Sequence, residues 1–148
     1  MENNLVNFIQ QNSPDSALNR TDQGGDFLQS DQWRKFQESV GRKTYNITQE
    51  DFHANILEHS LPIVGKYFYI PRGPVIKEQG TMIKEQFEEL IGLAKKNDIG
   101  WIRIEPGSSE ILEAIRSNTG SKLAKAPHDM QPKALFVIDI TKPEEQLL

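Results

Sequence analysis

At 148 residues, with 36% hydrophobic residues and no cysteine, the chain has the size of one globular domain, and it excludes disulfides, thiolate zinc sites and cysteine nucleophiles. Its 17 basic and 21 acidic residues give a formal net charge of -4, which argues against DNA as a partner and against broad binding to anionic membranes. No apolar run reaches the roughly 18 residues that cross a bilayer, and residues 1–4 lack the basic start of a signal peptide. We therefore expect a cytoplasmic protein without a transmembrane segment, with peripheral membrane contact left open.

The first 26 residues are predicted to form a short helix and a polar loop. Leu5, Phe8 and Ile9 follow helical spacing, and Pro14 ends the pattern. Residues 15–25 carry few apolar side chains to bury, which is typical of a mobile segment. We therefore predict that the globular domain covers residues 27–148.

A second amphipathic helix is predicted to begin at Ser30, whose hydroxyl is a suitable N-cap. Trp33, Phe36 and Val40 then fall on one apolar stripe, and Gly41 ends the helix. We expect this stripe to pack into the core. The aromatic residues assigned to the core are Trp33, Phe36, Tyr45, Phe68, Phe87 and Phe136.

Three short β-prone segments follow, at residues 44–47, 52–60 and 66–70, with turn residues between them. Their order and short connections predict an antiparallel meander. The third segment runs into the corner Pro71-Arg72-Gly73-Pro74, where the prolines remove backbone donors and the glycine permits a sharp reversal. Strand pairing should therefore stop near Ile70.

Arg72 is thereby placed on a rigid corner at the edge of the predicted sheet. A planar guanidinium donates two parallel hydrogen bonds to a carboxylate or a phosphate, which makes this residue a candidate ligand contact. The alternative is an ordinary solvated charge on a turn. The residues of the corner do not decide between the two.

The second half of the chain alternates helices and strands. Residues 81–97 show the strongest helical periodicity, and residues 101–105 form a β-prone segment. Ser108 is predicted to begin another helix. Residues 122–132 are interpreted as a short strand followed by a loop, and residues 134–140 as a central strand buried on both faces.

This order of elements predicts an α+β sandwich in which helices cover a mixed sheet. It resembles the acetyltransferase-like (GNAT) fold of acyl-CoA N-acyltransferases. In that fold the corner before the long helix normally carries a glycine-rich loop that binds the pyrophosphate of the cofactor. Here Pro74 stands where backbone donors would be needed, and residues 79–81 contain a single glycine. We therefore expect no acetyl-CoA and no other bound cofactor.

Four motifs in chain order also resemble a known family, the FemA, FemB and FemX (FemABX) proteins. They are Phe27-Leu28-Gln29-Ser30-x-x-Trp33, Tyr69-Ile70-Pro71-Arg72-Gly73-Pro74-Val75, Arg103-Ile104-Glu105-Pro106, and Gln131-Pro132 followed by Val137-Ile138-Asp139. The resemblance implies a non-ribosomal aminoacyltransferase. Such an enzyme takes amino acids from aminoacyl-tRNA, its co-substrate, and adds them to the peptide stem of a lipid-linked or nucleotide-linked peptidoglycan precursor.

Members of that family are built from two tandem GNAT-like domains, and the substrate cleft involves both. The chain resembles the first of these domains over about residues 4–148, so we expect it to be truncated before the second domain and inactive in transfer on its own. A non-catalytic GNAT-like binding module and a gene fragment stay open as alternatives. An ordinary acetyltransferase is disfavoured by the Pro-Arg-Gly-Pro corner.

The resemblance also implies candidate site residues. The family often has a lysine four residues after the motif tryptophan, where it meets precursor phosphates, but this chain has Gln37 there. Lys35 is the nearby alternative, although helical geometry turns it away from the side of Gln37. Arg72 lies at the corner that lines the precursor cleft in the family. Glu105 matches an acidic position suited to orienting the attacking amine or accepting its proton, and Arg103 is its candidate partner.

No metal site is expected from the sequence. His53, His59 and His128 show no metal-ligand spacing and are interpreted as surface or strand histidines. For Lys35 and Glu105 a solvated surface charge is the alternative interpretation.

Overall fold

The computed structural model describes residues 27–77, 83–119 and 123–132. In these ranges a mixed sheet carries helices, which confirms the predicted α+β class, and the order of the elements is consistent with the GNAT-like fold.

Five strands make up the sheet of the described residues: β1 (Thr44–Gln49), β2 (Phe52–Leu61), β3 (Gly65–Ile70), β4 (Val75–Ile76) and β5 (Ile99–Ile104). The first three form the predicted antiparallel meander, and β5 pairs parallel to β3. β2 has two partners on the side away from β1. Its second half pairs with β3 from Leu57 to Leu61, whereas Phe52 and His53 pair with β4. Between these two pairings β2 lies opposite the corner at residues 71–74.

The helices of the described ranges are α1 (Asp31–Ser39), α2 (Ile83–Lys96) and α3 (Ser109–Thr119), and a 3-10 turn at Phe27–Gln29 precedes the first. Ser30 caps α1 as predicted, because its hydroxyl accepts a 3.1 Å hydrogen bond from the backbone N–H of Trp33. α2 packs against α3 and β5. β5 confirms the strand predicted around residues 101–105, and α3 confirms the helix predicted to begin at Ser108.

Alternation along the strands divides the sheet into two faces. The core face meets α2 and α3, and its buried cluster consists of Ile47, Phe52, Ala54, Ile56, Phe68, Ile70, Ile83, Phe87, Leu90, Ala94 and Ile115. The core assignments of Phe68 and Phe87 are confirmed, and Tyr45 packs against this cluster from a partly buried position. The opposite face is called the polar face here, and it presents Asn46, Thr48, His53, Asn55, Leu57, His59, Tyr67, Tyr69, Trp101 and Arg103.

The apolar stripe predicted for α1 is wrong in part. Trp33 is partly buried against an apolar cluster of the polar face, but Phe36 and Val40 are 58% and 56% exposed. The buried residue of this helix is Gln37. The helix rests on the sheet through the side that holds Trp33 and Gln37, one turn apart, and Val40 lies beyond its last residue.

Residues 123–132 have an irregular backbone, so the strand predicted from residue 122 is wrong in its described part. Most side chains of this stretch are exposed, and a segment without an apolar face to bury has little reason to join a sheet. The predictions for residues 1–26, for the central strand at residues 134–140 with Phe136, and for the domain boundary at residue 27 lie outside the described residues.

Candidate functional site

Glu105 directly follows β5 and continues the alternation of that strand, so its side chain lies on the polar face after Trp101 and Arg103. The carboxylate is held through both oxygens. Oε2 accepts a 2.8 Å hydrogen bond from the hydroxyl of Tyr69, and Oε1 accepts a 3.3 Å hydrogen bond from the backbone N–H of Met130. With 18% of its side chain exposed, Glu105 is an oriented and largely desolvated carboxylate.

Tyr69 connects this carboxylate to the chain that follows α3. Its ring is 5% exposed, and its hydroxyl accepts a 3.1 Å hydrogen bond from Nε2 of Gln131 while donating to Glu105. Burial raises the pKa of the Tyr69 hydroxyl, and the neighbouring carboxylate acts in the same direction. Tyr69 therefore stays protonated and acts as a hydrogen-bond donor rather than a base.

Arg103 lies beside Glu105 as predicted, although the contact is loose. Its Nε is 3.9 Å from Oε1 of Glu105, which is within ion-pair range but too far for a hydrogen bond. One terminal nitrogen donates to the backbone carbonyl of His128. Within the described ranges the buried Nε has no hydrogen-bond partner, so this guanidinium has donor capacity that the protein does not use.

Arg72 reaches the same region from the corner. Its Nη2 donates a 2.6 Å hydrogen bond to the carbonyl of Pro132, which uses one of the five N–H donors of the guanidinium. The corner is also tied to β5, because the backbone N–H of Glu105 donates a 3.0 Å hydrogen bond to the carbonyl of Gly73. The pairing of β3 ends at Ile70, as predicted from the corner sequence, and pairing resumes in β4 after the corner.

We call Tyr69, Arg72, Arg103 and Glu105 the Glu105 cluster. All four side chains contact residues 128–132, which run across them without secondary structure. The cluster contains two cations and one carboxylate, so it offers an anion-binding charge beside an acceptor for an amine.

Lys35 and Gln37 do not belong to this cluster. No side-chain hydrogen bond or ion pair within residues 27–77, 83–119 and 123–132 joins either residue to it. Lys35 is exposed, whereas Gln37 is 6% exposed and its buried Oε1 has no partner in these ranges. The two side chains point to different sides of α1, as helical geometry predicts.

Tyr69 and Gln131 were missed as site residues by the sequence reasoning. Tyr69 carried a usable signal, because it shares its strand face with Tyr67 and stands three residues before Arg72. The contact of Gln131 with Tyr69 joins residues 62 positions apart, and no local pattern shows it.

Two further findings hold for the described residues. No group of three or more His, Asp or Glu side chains in these ranges is arranged to hold a metal ion. No helix there has the length and apolar character needed to cross a membrane.

The described residues therefore form an α+β protein with a GNAT-like order of elements, and a carboxylate and two arginines lie at one end of its polar face. A comparison with protein families gives a match to the FemAB family over residues 15–144, most of the chain. The chain belongs to the FemAB family, a family of aminoacyltransferases connected with peptidoglycan. Comparisons with curated proteins and with solved structures gave no match.

Proposed function

We propose that the chain binds the acceptor substrate of an aminoacyl transfer, a peptidoglycan precursor with a peptide stem and a diphosphate, at the Glu105 cluster. Membership of the FemAB family supports the reaction class. The observation that carries the assignment is the oriented carboxylate of Glu105 next to two arginines that contact the same stretch of chain. A substrate with an amine and phosphates carries the matching charges.

In the proposed reaction the amine nitrogen of the peptide stem attacks the carbonyl carbon of the aminoacyl ester. A C–N bond forms, the C–O bond to the tRNA ribose breaks, and the ribose oxygen leaves as a hydroxyl. Glu105 orients the amine and accepts the proton that its nitrogen loses, and an equivalent proton is taken up by the ribose oxygen. Tyr69 keeps the carboxylate in place, while Arg72 and Arg103 neutralise the phosphates.

Lys35 is proposed as a peripheral phosphate contact, because it is an exposed cation on α1. Gln37 occupies the position of the family lysine, but its amide is buried under the helix. A direct contact between Gln37 and a substrate would require α1 to move, so we assign it to the support of α1. No cofactor enters the proposal, and aminoacyl-tRNA is the co-substrate.

Calorimetric titration with a nucleotide-linked precursor tests the assignment. Arg72→Ala should weaken binding by about tenfold to a hundredfold, because a hydrogen bond to a charged group contributes roughly 1.5–3 kcal/mol. The matched control is Arg116→Ala, which removes a surface arginine of α3 that pairs with Glu113. If the parent binds and Arg72→Ala binds equally well, Arg72 is not a contact. Equal losses in both variants would assign the effect to overall charge.

We further propose that the 148 residues by themselves do not transfer amino acids. Transfer needs amine and ester held at near-attack distance, and such positioning contributes roughly 7–11 kcal/mol. Binding of tRNA needs several cations on one surface, whereas this chain has a net charge of -4. Incubation with charged tRNA and precursor, following label from the tRNA into the peptide stem, should give no turnover above a control without protein. Turnover would contradict the need for a second domain.

A further inference from the structure

Gln29, the last residue of the 3-10 turn, is a polar side chain with only 1% of its surface exposed. A buried amide is costly unless its donors and its acceptor are paired. Here Oε1 accepts a 2.8 Å hydrogen bond from the backbone N–H of Asn55. Nε2 donates to the carbonyl of Pro71 at 2.6 Å and to that of Asn55 at 3.4 Å. The amide therefore bridges β2 and the corner in the gap between the pairings of β2 with β3 and β4.

The turn that carries Gln29 is itself fixed to β2. The carbonyl of Gln29 accepts a 2.7 Å hydrogen bond from Nε2 of His53, and the carbonyl of Ser30 accepts a 3.0 Å hydrogen bond from Nδ2 of Asn55. His53 and Asn55 are 5% and 1% exposed. Since the backbone of Gln29 is held by buried groups, its side chain is a rigid support rather than a flexible surface group.

Gly73 packs directly against this amide. A Cβ placed on Gly73 would lie 2.8 Å from Cδ and 2.9 Å from Nε2 of Gln29, closer than such atoms approach in proteins. Any side chain at position 73 would therefore displace the amide. The corner and Gln29 fit each other only because residue 73 has no side chain.

Arg72 lies between Pro71 and Gly73, and the backbone carbonyls of both neighbours accept hydrogen bonds. Gln29 binds the carbonyl of Pro71, and the N–H of Glu105 binds that of Gly73. Arg72 itself has a φ of 50°, in the left-handed region that residues other than glycine adopt rarely. A conformation of this kind persists where the surrounding structure enforces it.

We propose that Gln29 is a positioning residue for Arg72. By holding the Pro71 carbonyl and packing on Gly73, its amide keeps Arg72 in the left-handed conformation that directs the guanidinium to the Glu105 cluster. The consequence for binding rests on the proposed function, whereas the effect on the corner itself does not.

A double-mutant cycle on precursor affinity separates positioning from a merely structural role. Gln29→Met keeps the length of the side chain and removes its hydrogen bonds. In the parent background it should weaken binding of the nucleotide-linked precursor by about tenfold. In the Arg72→Ala background the same substitution should change affinity by less than about twofold, because the guanidinium through which Gln29 acts is absent. Equal losses in the two backgrounds would overturn the proposal.

The matched control is Gln86→Met, since Gln86 is 3% exposed in α2, among the residues that meet the core face. Gln86→Met makes the same exchange of a buried amide for a thioether at a position away from the corner, and it should leave precursor affinity unchanged. If Gln86→Met weakens binding as much as Gln29→Met, the effect belongs to general destabilisation and the proposal fails.

A second readout needs no ligand. In ¹H–¹⁵N spectra of the free protein, the backbone amide signals of Arg72 and Gly73 should shift in Gln29→Met and stay in place in Gln86→Met. A parent chain that does not bind precursor would contradict the proposed function, and the corner signals would still decide on Gln29. If Gln29→Met does not fold, Gly73→Ala disturbs the same contact from the other side. Corner signals unchanged beyond the substituted residue would overturn the proposal.

Discussion

The two faces of the sheet are stabilised by different interactions. On the core face, Phe52 and Phe68 are at most 1% exposed and pack among apolar side chains. On the polar face, Gln29, His53 and Asn55 are buried to a similar degree but are joined by hydrogen bonds. Apolar burial is non-directional, whereas hydrogen bonds fix the positions of their partners. The core face therefore supplies most of the stability, and the polar face supplies the geometry of the site.

The largest effect is expected on the core face. Phe68 is fully buried and its ring lies 5.0 Å from that of Tyr45. Phe68→Ala should lower the free energy of unfolding by about 3–5 kcal/mol, because the lost ring leaves a cavity that the sheet cannot close. Urea denaturation followed by circular dichroism measures it. A loss below about 1 kcal/mol would show that the core face does not carry the stability.

The control for this substitution is Phe36→Ala. Phe36 is 58% exposed on α1, although its spacing in the sequence predicts a buried position. The change in the free energy of unfolding should stay within about 0.5 kcal/mol. A loss comparable to that of Phe68→Ala would show that Phe36 is covered in solution.

These two phenylalanines also show which buried positions could be predicted from the sequence alone. Phe68 lies in a strand with clear alternation, and its face follows from the local pattern. The buried side of α1 depends on the surface against which the helix packs. That side contains Gln37, one turn after Trp33, and a glutamine adds nothing to an apolar pattern, so its burial was not predicted. Local periodicity was enough for the meander and for α2, but not for the side on which a short helix docks.

For the candidate site, single residues were predictable from the sequence, but their convergence was not. The corner chemistry pointed to Arg72, and the resemblance pointed to Arg103 and Glu105. Their convergence depends on contacts such as Tyr69 with Glu105, 36 residues apart, and Gln29 with Pro71, 42 residues apart. Such contacts arise from the packing of whole elements, and no spacing rule in the chain encodes them.

A smaller effect is expected for Tyr69→Phe on the polar face. The ring stays buried, but Glu105 loses a 2.8 Å hydrogen bond and Gln131 loses its acceptor. The free energy of unfolding should fall by about 1.5 kcal/mol, and precursor affinity should fall with it because the carboxylate is no longer oriented. Tyr67→Phe is the matched control, since its ring keeps its stacking on Trp101 and His59. If the control loses as much affinity, the Tyr69 hydroxyl has no specific role.

The polar face should also make stability depend on pH. Burial lowers the pKa of His53, against the opposing effect of its bond to Gln29, and burial together with Arg42 lowers that of His59. In the unfolded chain both histidines have a pKa near 6.5, and in the folded chain both values are lower. The unfolded state therefore binds more protons as the pH falls below 6.5, and the stability that the neutral histidines contribute is lost as the pH falls toward the folded pKa values. The thermal midpoint should fall as the pH is lowered below about 6.5. A double variant, His53→Gln with His59→Gln, should show a shallower drop, and an equal drop would contradict this assignment.

The smallest effect concerns the backbone of the corner. There we expect a glycine variant to be more stable than an alanine variant, the reverse of their order inside a helix. Arg72 has a φ of 50°, where a Cβ is disfavoured, so Arg72→Gly should be more stable than Arg72→Ala by about 1 kcal/mol. Both variants lose the bond to Pro132, so the comparison isolates the backbone. At Glu88, an exposed position inside α2, the same two substitutions should rank the other way, with alanine more stable by about 1 kcal/mol. Thermal denaturation of the four variants measures both differences. Alanine favoured at both positions would mean that the corner is not left-handed in solution, and the polar face would then lose the strained geometry that distinguishes it from the core face.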